Sequence, residues 1–213
     1  MKKKILALTL VFALALALGI GGTLAWLTAE SSQVVNTFTV GKITLTLSEN
    51  GSEYDTVDQQ YKQDFKILPG ATDDKEPVLT VKKGSEKCYV YALVTNNVKL
   101  NGTIVATPNI DTNQWIKVGE DADNNKVLYR YHQVVDVLTA NEDASLSVFS
   151  QVTYSDTITQ SADDLAALNN TTITVQGFAH QSEHVKLDGD GSANKAACEQ
   201  FGITYVAPTP IAP

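Results

Sequence analysis

Several things are scarce in this sequence, and each scarcity excludes something. Among 213 residues there are two cysteines, so a disulfide-dense scaffold is ruled out. Beyond the amino terminus there is no clustered run of Lys or Arg, and the chain as a whole carries −8. Nucleic-acid binding depends on such clusters to contact phosphates, so that role is excluded. No second long apolar run follows the first, which excludes a multi-span transporter. There is no internal repeat, low-complexity stretch or long linker. There is also no strand–turn nucleophile elbow and no Gly-rich phosphate loop, so two common enzyme classes lose their usual signatures. Charged residues make up only 19%, but a hydrophobic share of 43% argues against wholesale disorder.

What is present divides into two parts. The first 29 residues hold three charges, Lys2, Lys3 and Lys4, and the acidic residues begin at Glu30. The remainder then holds 13 basic (16 − 3) against 24 acidic residues, or −11. The lysines are followed by the apolar run Ile5–Leu18, then by Gly19, Gly21 and Gly22. This is the order of a signal peptide: a positive start, an apolar helix, a helix-weakening junction. Small residues at Thr23 and Ala25 place a cut after Ala25, or after Trp26 by the resemblance described below. The competing reading is a retained anchor, because no charge interrupts Ile5–Ala29. The expected organisation is a signal helix over 1–26, one domain over 27–206 and a short Pro-rich tail over 207–213.

The body alternates with period two. Ile43, Leu45 and Leu47 are interleaved with Thr44, Thr46 and Ser48, so they share one face of a strand. Further strands are expected over Val78–Lys82, Cys88–Thr95, Gly102–Thr107, Trp115–Val118, Val127–Val135, Ser145–Tyr154 and Thr171–Ala179. Asn101-Gly102 is the strongest hairpin signal, since both residues tolerate positive φ. Helix is expected only over Ser161–Leu168 and Ser192–Phe201, each opening on a capping Ser. Many short strands with two short helices predict an all-β, antiparallel, jelly-roll-like β-sandwich.

Gly21–Leu47 (GGTLAWLTAESSQVVNTFTVGKITLTL) resembles the start of the TasA/camelysin-type exported proteins of Gram-positive bacteria. Lys66–Thr72 (KILPGAT) and Thr172–Gln181 (TITVQGFAHQ) resemble a turn and a late strand of the same group. The resemblance implies processing by a signal peptidase of the SipW type. It also implies secretion, and assembly with its own subunits or related matrix proteins into fibres of the biofilm matrix or cell surface. In such fibres the released N-terminal segment of one subunit adds as a strand to the next. Thr37, Phe38, Val40, Ile43, Leu45 and Leu47 would carry that contact here. An ordinary first strand, paired within its own sheet, is the plainer alternative. Membrane contact is expected only through an uncleaved leader.

The same group includes proteins described as camelysin metalloendopeptidases, and His180-Gln181-Ser182-Glu183-His184 spells H-x-x-E-H, the inverted zincin pattern. That pattern places two zinc-binding His and the catalytic Glu183 on one helix face. Here it follows a strand, where His180 and His184 would stand roughly 13 Å apart. A zinc site is therefore the weaker alternative, with Asp188 and Asp190 as further ligands. Asp188-Gly189-Asp190-Gly191 also has the look of a calcium loop, but lacks Gly at its sixth position, Ala193. An acidic turn is preferred, and no cofactor is expected. Cys88 and Cys198 are read equally as a disulfide or as two buried thiols. Tyr89, Tyr91, Trp115, Tyr129, Tyr131, Phe149 and Tyr154 are expected in core or half-exposed sheet positions, with a glycan-stacking platform as the alternative, and a surface adhesin is the third reading.

Overall fold

In chain order the strands are β1 (Leu45–Glu49), β2 (Glu53–Asp55), β3 (Gln60–Lys62), β4 (Thr72–Asp74), β5 (Pro77–Val81), β6 (Cys88–Asn96), β7 (Lys99–Leu100), β8 (Thr103–Ile104) and β9 (Ala106–Pro108). They continue with β10 (Trp115–Asp121), β11 (Lys126–Tyr131), β12 (Ala144–Ser147), β13 (Gln151–Tyr154), β14 (Ile173–Gln181) and β15 (Thr204–Tyr205). Helix α1 (Ala162–Leu168) precedes β14, and α2 (Ala193–Phe201) follows it. The computed structural model describes residues 41–49, 53–55, 60–62, 67–159 and 161–208. The unit they belong to begins at Gly41.

The described chain is mostly β, and every strand pairing in it is antiparallel. A five-stranded sheet has the order β14-β6-β11-β10-β15, and two three-stranded sheets have the orders β1-β5-β12 and β4-β13-β9. Inside the largest sheet, next to the edge strand β14, β6 (CYVYALVTN) is buried on both faces. Cys88, Val90, Ala92 and Val94 point into the main core, together with Trp115, Leu79, Val81 and Leu146. Tyr91 and Leu93 point the other way, into a second cluster with Val118, Leu128, Ala197 and Cys198, which α2 covers. A continuous apolar run suits a strand covered twice.

Contact between the sheets is closest at Gly177 of β14. A Cβ there would collide with Leu79 Cδ2 and lie 3.1 Å from Leu45 Cδ2, so the three-stranded sheet packs directly on this backbone. Any larger residue would push the two layers apart.

The local signals act as their chemistry requires. Asn101 and Gly102 have φ of 50° and 80° and join β7 to β8 in a two-residue turn with both central residues left-handed. Ser161 Oγ accepts from Asp164 N at 3.2 Å and Ser192 Oγ from Lys195 N at 3.2 Å, capping α1 and α2. Gly202, at φ 62°, ends α2.

Three expected strands are divided or cut short, while Trp115–Val118 runs on to Asp121 and Thr171–Ala179 lies at Ile173–Gln181. Ser145–Tyr154 is two strands, because Val148 and Phe149 are both buried and the chain passes from one sheet to another between them. Val127–Val135 ends at Tyr131, with Val135 returning only as an isolated bridge to Cys88. Gly102–Thr107 is split between β8 and β9. Of the tail, Ala207 and Pro208 carry no regular structure, and 209–213 lie outside the described residues.

Candidate functional site

Among the described residues the longest pairing, that of β14 with β6, also leaves the longest open edge. β14 pairs with β6 over nine residues, from Ile173↔Asn96 to Gln181↔Cys88. Ser182 N donates to Lys87 O at 2.9 Å and Asn97 N to Thr172 O at 2.9 Å. These bonds set the phase of the ladder: even-numbered residues turn their backbone groups to β6. Ile173, Val175, Gly177, Ala179 and Gln181 direct theirs away, where no strand pairs with them among the described residues. β14 (ITVQGFAHQ) has no Lys, Asp, Glu or Pro, the residues that normally blunt an edge. On its inner face Ile173, Val175 and Ala179 are only half-buried, although they pack against the core.

Leu45 and Leu47, the expected contact residues, lie on β1. That strand pairs with β5 in its own sheet, from Leu45↔Val81 to Glu49↔Pro77, and Ile43 precedes it. Their side chains are half-buried, and β1 is likewise an edge strand. Thr37, Phe38 and Val40, and the cleavage candidates Ala25 and Trp26, lie outside the described residues.

The H-x-x-E-H run is not helical. His180 is on β14, its Nδ1 2.8 Å from the Gln181 carbonyl, while His184 sits in the turn beyond with φ 61°. Glu183 is exposed and reaches Lys87 Nζ at 3.9 Å. Among the described residues no cluster of three or more His, Cys, Asp or Glu is arranged to hold a metal ion. A cavity of about 240 Å³ is lined by Asp74, Lys75, Glu76, Ser150 and Gln151, and Ser150 Oγ accepts from Asn109 Nδ2 at 3.0 Å.

Asp188 and Asp190 separate in role. Asp188 Oδ1 accepts from the Asn194 side-chain amide and from Tyr205 Oη at 3.1 Å. Asn194, fully buried, also accepts from Tyr91 Oη at 2.9 Å. Asp190 pairs with Lys195 at the surface, and that ammonium holds its carboxyl below the usual range. The acidic turn therefore anchors the start of α2 to β6 and β15. Sequence reasoning missed Asn194 and the buried Arg130, since a polar residue in a short helix or an alternating strand reads as solvent-facing.

Cys88 and Cys198 are not brought together. Cys88 lies in the main core and Cys198 in the cluster under α2, and both are free and buried. Cys198 Sγ lies 3.6 Å from Val118 O. Burial pushes each thiol from 9.0 up to about 11. The raised folded value means that this contribution to stability is intact below about pH 9 and is lost as pH rises towards 11. Without reductant, two thiols should titrate in denaturant and neither should react quickly in the native protein at pH 8. Finding no thiol in denaturant would restore the disulfide.

No family model matches the chain, and no match was found among curated proteins or solved structures.

Proposed function

We propose that this chain is a non-enzymatic, secreted structural subunit of the extracellular matrix or cell surface, built as a jelly-roll-like sandwich and assembled by strand addition. The uncharged open edge of β14 carries this reading. Nine residues of edge, whose outward backbone groups meet no strand among the described residues, form a template for an extended segment. The facing contact at Gly177 supports the layered architecture. The sequence before Gly41, if extended, would put Val34, Asn36, Phe38 and Val40 on one face and Gln33, Val35, Thr37 and Thr39 on the other, the more apolar of the two being the first. Export would follow from the leader over 1–26 and its removal at Ala25 or Trp26.

Electron microscopy of the protein begun at Leu27, beside one begun at Gly41, tests the assembly. The longer form should make fibres and the shorter should stay monomeric. Ala179→Pro removes one outward N–H from β14 without touching its ladder to β6, so it should keep the circular dichroism spectrum and lose the fibres. Monomers in every form, or fibres indifferent to the truncation, would remove strand addition from consideration.

A further inference from the structure

Two asparagines in the chain are followed by glycine, Asn50 and Asn101. Asn50 lies outside the described residues, while Asn101 and Gly102 form the turn between β7 and β8. Both are exposed, and a Cβ built on Gly102 would meet nothing within 4 Å, so the turn stands open to water. Among the described residues no hydrogen bond engages the Asn101 carboxamide or the Gly102 N–H.

The comparable side chains are held. Asp188, before Gly189, accepts from Asn194 and Tyr205, and Asp190, before Gly191, pairs with Lys195. Asn109 Oδ1 accepts from the backbone N–H groups of Ser150 and Gln151. Among the described residues, Asn101 is thus the one Asn or Asp that is both uncommitted and followed by glycine.

Those two groups are the reactants of an intramolecular condensation. Attack of the Gly102 nitrogen on Asn101 Cγ closes a five-membered succinimide. The bond from Cγ to the carboxamide nitrogen breaks, and ammonia leaves with the proton that the Gly102 nitrogen gives up. Water then adds to one ring carbonyl. Addition at Cγ yields aspartate; addition at the backbone carbonyl leaves the main chain running through Cγ, as isoaspartate. One water is consumed and one ammonia released, with no change of oxidation state.

Ring closure needs the Gly102 nitrogen eclipsed with Asn101 Cβ. Rotating the Asn101–Gly102 peptide plane provides this, by converting the turn into the mirror of type II, with ψ of about −120° at its first central residue. Asn101, at φ 50°, already has the positive φ which that turn requires. Gly102 must reverse its φ of 80°, and glycine occupies either sign about equally. Only two pairs, Lys99↔Ile104 and Leu100↔Thr103, oppose the motion.

We infer that Asn101-Gly102 is a self-modifying site, where the folded protein converts Asn101 to aspartate and isoaspartate with water as the only co-reactant. Isoaspartate inserts a methylene into a two-residue turn, which breaks its match to the ladder. Because β7 packs against α1 and Leu100 lies against the main core, the effect extends beyond the turn.

The tryptic peptide Leu100–Lys117 carries Asn101, Asn109 and Asn113 together, so two of them serve as internal standards. The folded protein is incubated for weeks in neutral buffer, beside a sample in guanidinium chloride, and the peptide is sequenced by mass spectrometry. In the folded sample –OH should replace –NH2 at Asn101 several-fold faster than at Asn109 or Asn113. An isoaspartyl methyltransferase assay should find isoaspartate as a product. Gly102→Ala should slow the conversion several-fold; should that variant not fold, the comparison within the wild-type peptide decides alone. The isoaspartate form, separated by anion exchange, should melt below Asn101→Asp, which has the same added charge without the extra methylene. An intact Asn101, equal rates at all three asparagines, or conversion only in guanidinium chloride would overturn the site. Equal Tm for the isoaspartate form and Asn101→Asp would overturn its effect on the hairpin.

Discussion

Trp115→Ala should lower the unfolding free energy by about 3–5 kcal/mol, the range for deleting a large aromatic from a packed core. Trp115 is the largest fully buried side chain and is 1% exposed. Its ring stands edge-on to Tyr131 at 5.4 Å, and its Nε1–H donates to Ser147 O at 2.8 Å. That bond joins β10 of the five-stranded sheet to β12 of the three-stranded sheet. The alanine would therefore open a cavity and strand a carbonyl together. Trp115→Phe keeps most of the volume and should lose less, about 1–3 kcal/mol, mostly through the unpaired carbonyl. Urea titration measures both. A chain begun at Leu27 lacks Trp26, which leaves Trp115 as its only tryptophan; the variants are therefore followed by circular dichroism. An alanine variant within 1 kcal/mol of the wild type would contradict the core described above.

Asn194→Ala should cost about 3 kcal/mol, although it removes little apolar surface. Its side chain accepts from Tyr91 Oη and donates to Asp188, which also accepts from Tyr205. Burial holds the Tyr91 hydroxyl well above the ordinary phenol range, so it remains a donor wherever the protein is folded. Without Asn194 that donor is buried and unpaired, and the start of α2 loses its tie to β6. Tyr91→Phe should cost less, about 1–2 kcal/mol, because the hydroxyl leaves with its need for an acceptor. In the double variant the penalties should fall short of their sum by about 1 kcal/mol. Strict additivity in a thermodynamic cycle would show that the two side chains act separately.

These two residues mark the border of what the sequence makes legible. The Asn101-Gly102 hairpin and both serine caps are local, with each signal and its effect lying within three residues. They could be read directly. The all-β class follows from period-two alternation, which is also local. The two-sided burial of β6 is different, because α2 covers Tyr91 and Leu93 from about 100 residues further along. Arg130 in KVLYRY has the alternation of a strand with one wet face, and only the tertiary cover makes it interior. Val148 and Phe149 likewise read as strand, but their burial on both sides needs a passage between sheets that no dipeptide announces. The acidic turn at Asp188 was visible as a cluster of carboxylates, while its engagement by Asn194 and Tyr205 was not.

The position of β14 has a consequence in time. The interior strand β6 is complete at Asn96, yet its partner on one side begins at Ile173. β1 similarly waits for β5, and β10 for β15 near the end of the chain. Pairings this distant carry a high loop-closure entropy before any contact rewards it, so folding should be slow, in the range of milliseconds to seconds. A chain emerging from its amino terminus cannot close its largest sheet until nearly all of it is available. Until Ala193–Phe201 is available the side of β6 and β11 that α2 covers stays open, and a partial chain in that state is prone to aggregate.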